Sequence, residues 1–225
     1  MKPAAGARQR ILLVDDHPFM RAGLAQLLNQ QPDLQLGGEA GHPSDAAKLL
    51  ASGKWDLVLT DITMPGRSGL DFIKDLHALY PELPILVVSM HDEAIYAERA
   101  LRAGARGYIM EEAGAEKLLE AVRRVLSGKV YVSAELSAKI VDALSGAKPR
   151  GSNSPIAKLT DREFEIFQLI GHGKSTKEIA SQLHLSSKTV DVHRSHIKEK
   201  LELTDATALV RHAVRWIESG GQESS

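Results

Sequence analysis

Ile11-Leu12-Leu13-Val14-Asp15-Asp16-His17-Pro18 is the stretch on which the fold turns. Four apolar residues end in two aspartates, and a proline suited to the first turn of a helix follows. This describes a short strand buried on both faces that leads directly into a helix. The pattern recurs at Leu57-Val58-Leu59-Thr60, which Asp61 closes. Strands fit Ile11–Val14, Leu34–Gly37, Leu57–Thr60, Ile85–Ser89 and Gly107–Ile109. Helices fit Pro18–Asn29, Ser44–Ala51 with Ser44 as cap, Gly69–Leu79, Glu93–Arg102 and Gly114–Ser127. A five-fold βα alternation implies an α/β domain built on a doubly wound five-stranded parallel sheet. Acids rather than a Gly-rich turn follow the first strand, which argues against a dinucleotide site.

Such sheets bind ligands in the crevice outside the carboxyl ends of their strands, where Asp15, Asp16 and Asp61 would meet. One acid there is ordinarily a solvated strand end. Three would repel one another unless a hard cation shares them, and Mg²⁺ suits an all-oxygen site. A carboxylate in the place of Asp61 can attack phosphorus. The pattern points to a metal-dependent phosphoacceptor.

Composition sets the outer bounds. The 225 residues suffice for one large or two ordinary domains. Without cysteine there is neither a disulfide framework nor a thiolate metal site. The basic start is followed by only four apolar residues before the aspartates, so neither a signal peptide nor a membrane span is expected, and the chain should be cytoplasmic. Lys+Arg number 28 against 29 Asp+Glu. Residues 1–145 carry 16 against 19, whereas residues 158–218 carry 10 against 9. That is a faint electrostatic footprint for a nucleic-acid partner.

Past the fifth alternation the character changes. Ser133 to Leu144 reads as a further helix, and Ser145 to Pro155 is a Gly/Ser/Pro-rich linker. Four helical patterns then follow: Asp161–Gly171, Ser175–Leu183 (capped by Ser175 or Thr176), Ser187–Leu201 and Asp205–Ser219. His184-Leu185-Ser186 forms a tight turn between the second and third. Ile179, Leu183, Leu185, Val190 and Ile197 would hold these two helices together. The third would then expose Lys188, Asp191, Val192, Arg194, Ser195 and Lys198 to a major groove. His193 and His196 stand three residues apart, but no further ligand accompanies them in the sequence, so no metal pair is expected.

Val14-Asp15-Asp16-His17-Pro18, Leu59-Thr60-Asp61-Ile62-Thr63-Met64-Pro65-Gly66, Val88-Ser89 and Gly104-Ala105-Arg106-Gly107-Tyr108 together resemble a two-component receiver domain. Leu159-Thr160-Asp161-Arg162-Glu163-Phe164-Glu165 and Lys188-Thr189-Val190-Asp191-Val192-His193 resemble a LuxR-type helix-turn-helix. In this order they resemble a NarL/FixJ-family response regulator across nearly the whole chain. The resemblance implies a flavodoxin-like receiver at 1–129, a connecting helix and flexible linker at 130–157, a separate all-α four-helix DNA-binding domain at 158–219 and a disordered tail at 220–225.

By the same resemblance Asp16, Asp61 and the backbone carbonyl of Thr63 bind Mg²⁺ directly and Asp15 mostly through water. Asp61 takes a phosphoryl group from a cognate histidine kinase, and Ser89 and Tyr108 form the switch. Asp191, Val192 and Ser195 approach bases, while Lys188, Arg194, Lys198 and Lys200 suit phosphate; Glu163 and Lys200 also match structural positions of the family. Val210 and Ala213 are dimer contacts that would place a homodimer on double-stranded DNA, with core packing an equal explanation for either. His17 reads as a loop or cap residue.

One departure stands out. The family has lysine where Gly107-Tyr108-Ile109-Met110-Glu111 places Glu111. Two charges ~4 Å apart interact by about 4 kcal/mol at an effective dielectric of ~20, so replacing a cation by an anion disfavours a phosphorylated pocket. Arg106 could relieve Glu111. A phosphorylation-independent DNA-binding regulator is therefore the second reading. A phosphatase would need another acid at position 63, where Thr63 stands, and no enzyme is expected.

Overall fold

The computed structural model describes residues 8–64, 68–138 and 155–219. The chain divides into two compact units that part near residue 136, and each is considered by itself.

The first unit runs β1 (Gln9–Val14), α1 (Pro18–Asn29), β2 (Leu34–Ala40), α2 (Pro43–Ser52), β3 (Leu57–Thr60), α3 (Gly69–Leu79), β4 (Ile85–Ser89), α4 (Glu93–Ala103), β5 (Gly107–Met110) and α5 (Ala115–Leu126). All strand pairs are parallel, in the order β2-β1-β3-β4-β5. The chain thus winds outward in both directions from β1 and β3. Every residue of β3 and β4 is buried, as a sheet covered on both faces requires. On α5 the buried positions are Leu118, Ala121, Val122 and Val125, the i, i+3, i+4, i+7 stripe of a helix lying on the sheet.

Three local expectations change. β2 does not stop at Gly37 but continues to Ala40 through a register shift opposite Ile11 and Leu12. Paired glycines look like a strand end in sequence. Here a Cβ on Gly37 would lie 2.8 Å from both the Trp55 ring and the Arg10 side chain, so the glycine makes room for that stacked pair. α2 begins one residue before Ser44, because His42 caps it by accepting the Ser44 N–H on Nδ1 at 3.1 Å. Finally, the first unit extends past residue 129. Tyr131 accepts from Tyr108 N–H and donates to the Arg106 carbonyl, and Ser133 N–H donates to Glu93.

The second unit opens with a 3-10 turn at Pro155–Lys158, where Ile156 is buried rather than lying in a solvated linker. Then come α6 (Asp161–Gly171), α7 (Thr176–Gln182), α8 (Ser187–Lys200) and α9 (Ala206–Glu218). α6 and α7 both begin with complete capping boxes, Thr160 with Glu163 and Ser175 with Glu178. Ser186 and Asp205 cap α8 and α9. The core joins Phe164, Phe167, Ile179, Val190, Ile197 and Leu209 to Trp216, whose ring meets Phe164 and Phe167 edge-on at 5.5 and 5.6 Å. Residues 134–138 are helical. The rest of the Ser133–Leu144 helix, the linker up to Ser154 and the tail at 220–225 lie outside the described residues.

Gly104 ends α4 at φ +112°, and a Cβ there would lie 2.4 Å from Cγ of His77. Gly128 ends α5 at φ +82° with open space around it. Gly104→Ala is therefore expected to cost the first unit about 2–4 kcal/mol, from left-handed strain plus overpacking. Gly128→Ala should cost only about 1 kcal/mol, from backbone strain alone. Urea denaturation of each variant separates the two contributions, and equal losses would remove the role given to His77.

Candidate functional site

The switch point of the sheet lies between β1 and β3, whose carboxyl ends are paired at Val14 and Thr60. Main-chain bonds then set the acids side by side. Asp61 N–H donates to the Val14 carbonyl and Asp15 N–H to the Ala40 carbonyl, both at 3.0 Å. Asp15 and Asp61 are buried and Asp16 is half-buried. Oxygens of Asp15, Asp16 and Asp61 and a ring nitrogen of His17 all lie within 4.8 Å of one another.

His17 occupies the cap position of α1 but makes no capping bond. Its Nδ1 instead stands 3.2 Å from Asp15 Oδ1 and 3.1 Å from Asp16 Oδ1. Burial lowers the imidazole pKa, but the charges of Asp16 and Asp15 outweigh it and hold the ring above its ordinary value. The contact with Asp16 lacks hydrogen-bond geometry, so Asp16 Oδ1 is buried without a hydrogen-bond partner. An orphaned carboxylate oxygen among converging acids fits a hard divalent cation of the Mg²⁺ type.

Asp61 is the most perturbed member. Burial is the largest cause and pushes its pKa up to about 7. The Thr63 and Ile62 N–H groups and the Ser89 hydroxyl bond its carboxylate and oppose that rise, while the charge of Asp15 adds to it. The Ile62 bond is 2.6 Å.

Ser89 is fully buried at the end of β4 and accepts the His91 N–H at 3.3 Å. Tyr108 is also fully buried, with its hydroxyl donated to the His91 carbonyl at 2.9 Å. Burial drives its phenol pKa upward, so the group stays a donor. The ring thus lies inside the unit. His91 was not singled out by sequence, yet its Nε2 lies 2.5 Å from Thr63 Oγ1 and its ring packs on Tyr96 at 4.7 Å. An isolated histidine two residues past a strand carries no motif, so no sequence signal marked it.

Glu111 opens a 3-10 turn directly after β5. Burial, then the charge of Asp15, raises its carboxyl pKa, and His17 opposes both. Arg106 provides no relief: it precedes β5 while Glu111 follows it, at opposite ends of the strand.

On α8 the structure exposes Lys188, Asp191, Val192 and Ser195 and half-buries Arg194 and Lys198. Val192 is 46% exposed, unusual for a branched apolar side chain on a helix. Lys200 is not on this face; its ammonium donates to Glu163 at 2.6 Å. Burial raises the Glu163 pKa, but that ammonium and the Thr160 donors hold the carboxyl below its ordinary value. Of the two dimer candidates, Val210 is 39% exposed, whereas Ala213 is fully buried. Ala213 is corrected to a core position, because its carbonyl lies 2.7 Å from where a Cβ on Gly171 would stand, a close approach of α6 and α9.

Comparison with known proteins agrees with both halves. Residues 11–123 match the response regulator receiver domain, and residues 157–213 match the bacterial regulatory proteins of the luxR family. The chain belongs to the LuxR-family response regulators. The oxygen regulatory protein NreC of Staphylococcus haemolyticus is 36% identical over 210 residues, which are 92% of this chain and 97% of that protein. The response regulator ChrA of a heme-sensing two-component system is 31% identical, covering 94% of this chain and 98% of that one, with a TM-score of 0.50. RcsB from Salmonella enterica serovar Typhimurium, solved on the rprA promoter with phosphomimetic BeF₃⁻, has a TM-score of 0.63 over 92% of this chain and 99% of that one. At 22% identity it supports the fold alone. This response regulator is thus a DNA-binding two-component protein rather than an enzyme. Among its described residues no helix is long and apolar enough to cross a membrane.

The buried Asp61 has a measurable consequence in metal-free protein. Between the ordinary carboxylate value of 3.8 and about 7, the folded state holds a proton that the unfolded chain has released. Stability therefore falls as pH rises through that window, by on the order of 4 kcal/mol, and is flat above it. Asp61→Asn is expected to lose this slope, which urea denaturation of the first unit across the window reads. Parallel profiles for the two proteins would show that Asp61 is not the titrating group.

Proposed function

We propose that Asp61 accepts a phosphoryl group from a cognate histidine kinase in a Mg²⁺-dependent reaction, and that the modified chain binds double-stranded DNA as a homodimer in the cytoplasm. The observation that carries this reading is Asp61 itself: buried beside Asp15 and Asp16 at the switch point, with the Ser89 hydroxyl on its carboxylate. One Asp61 oxygen attacks phosphorus in line, and the donor leaves with its bonding pair. Mg²⁺, held by Asp16, Asp61 and the Thr63 carbonyl with Asp15 through water, would offset the charge on the phosphoryl oxygens. Ser89 and Tyr108 then carry the change to the surface of α4 and β5.

In the second unit, Asp191, Val192 and Ser195 face bases, while Lys188, Arg194 and Lys198 meet phosphates. Val210 is the remaining dimer contact. The receiver then takes in Tyr131 and Ser133, and the DNA-binding domain begins at Pro155. Lys188→Ala is expected to weaken binding to all sequences alike and to lower the salt slope by about one unit. An effect confined to one sequence would make Lys188 a base reader.

Glu111 supports a second reading, in which DNA binding does not depend on phosphate. Its carboxyl, within the field of Asp15, takes the place where the family has lysine. Intact mass and sedimentation after incubation with Mg²⁺ and a small phosphodonor separate the two. A phosphoryl adduct lost in Asp61→Ala, together with dimerisation, is the expected result, and Glu111→Lys should prolong its retention. Specific DNA binding by a dimer that forms no adduct would select the second reading.

A further inference from the structure

The second unit holds a cluster that DNA recognition leaves unused. Glu163 on α6 and His193 and His196 on α8 each bring one donor atom within 4.8 Å of the other two. The sequence showed the two histidines without a third ligand; the fold supplies it from a helix thirty residues earlier. The oxygens of Glu163 are unequally used. Oε2 accepts from Lys200 at 2.6 Å and from the Thr160 N–H at 2.8 Å. Oε1 faces His196 Nδ1 at 3.8 Å, beyond hydrogen-bond reach. His193 Nδ1 is buried and has no hydrogen-bond partner. A buried imidazole nitrogen without a hydrogen-bond partner, on a residue of this cluster, is a mark of a missing ligand.

We propose that Glu163, His193 and His196 form a Zn²⁺ site that clasps the recognition helix α8 to α6. The donor set favours this ion over Mg²⁺, because imidazole suits zinc and hard cations prefer oxygen alone. Ligand atoms at ordinary zinc bond lengths stand about 3.3 Å apart in a tetrahedron, so the 3.8 Å between His196 and Glu163 must close by about half an ångström and the remaining separations, all within 4.8 Å, by at most about one and a half. Three protein ligands leave the fourth position open to water. The neighbouring cations are already engaged: Lys200 on the other oxygen of Glu163, and Arg162 on Glu165 at 2.8 Å and on the Leu183 carbonyl. Burial also keeps the His193 ring below its ordinary pKa, so it offers a lone pair at neutral pH. His193, His196 and Lys200 form one row on α8, whereas Lys188, Asp191, Val192 and Ser195 form another. The ion fixes how the second row is presented and touches no DNA.

The test uses the full chain in excess Mg²⁺, which occupies the receiver carboxylates. Zn²⁺ affinity is measured by competition with a chromophoric chelator, and Co²⁺ serves as a spectroscopic probe of the ligands. One ion per chain is expected, with ring-proton shifts of His193 and His196 in NMR and a rise in the thermal midpoint of the second unit. His196→Ala, which removes a half-exposed side chain and leaves the core and the Glu163–Lys200 pair intact, should lower affinity at least about tenfold and abolish the midpoint shift. Asp61→Asn should leave Zn²⁺ binding unchanged. Equal affinity in His196→Ala, loss only in Asp61→Asn, or no uptake at micromolar Zn²⁺ would each overturn the proposal.

Discussion

Repulsion between carboxylates held at the ends of two adjacent parallel strands is the constraint on which the first unit depends. β1 and β3 are neighbours because the chain winds outward from them, and each ends in acid. The main-chain bonds that complete the sheet are the same bonds that bring Asp15 and Asp61 together. The fold cannot relax this strain without giving up its central pairing. It offsets the repulsion with donors to Asp61 and with His17 between Asp15 and Asp16, while burial raises the Asp61 pKa to about 7. Structural cost and chemical readiness have one source.

The second unit is organised around a different carboxylate. Glu163 completes the capping box that starts α6 and receives Lys200 from the last turn of α8. One side chain therefore serves local helix initiation and tertiary angle at once, which is why it can be buried while charged. α8 is held from behind by this pair and by the buried Val190 and Ile197, while Lys188, Asp191, Val192 and Ser195 stay exposed.

Strong periodicities were readable from the sequence wherever burial alone decides structure. The apolar runs Ile11–Val14, Leu57–Thr60 and Ile85–Ser89 became fully buried strand segments. Features set by a distant partner were hidden. Gly37 reads as a stop until Trp55 and Arg10 are seen to need its missing Cβ. Ala213 shares the apolar stripe of α9 with Val210, and only the approach of Gly171 shows which of the two is inside. His91 and the partnership of Glu163 with His193 and His196 depend on residues 28 or more positions away, and no local pattern encodes such a meeting. Around Asp61 the acids were legible because two strand ends, those of β1 and β3, repeat one motif. Glu111 was legible only as a departure from an expected lysine.

The loop after β4 has a further consequence. His91 offers its ring to Thr63 two residues past Asp61, its carbonyl to Tyr108 in β5, and its face to Tyr96 in α4. Three separate stretches of chain therefore report to one residue through three different atoms. No one of them can shift far while the others stay, since each contact is lost within a fraction of an ångström. Such a hub has little room for graded change: the loop after β3, α4 and β5 keep or lose their shared contacts together.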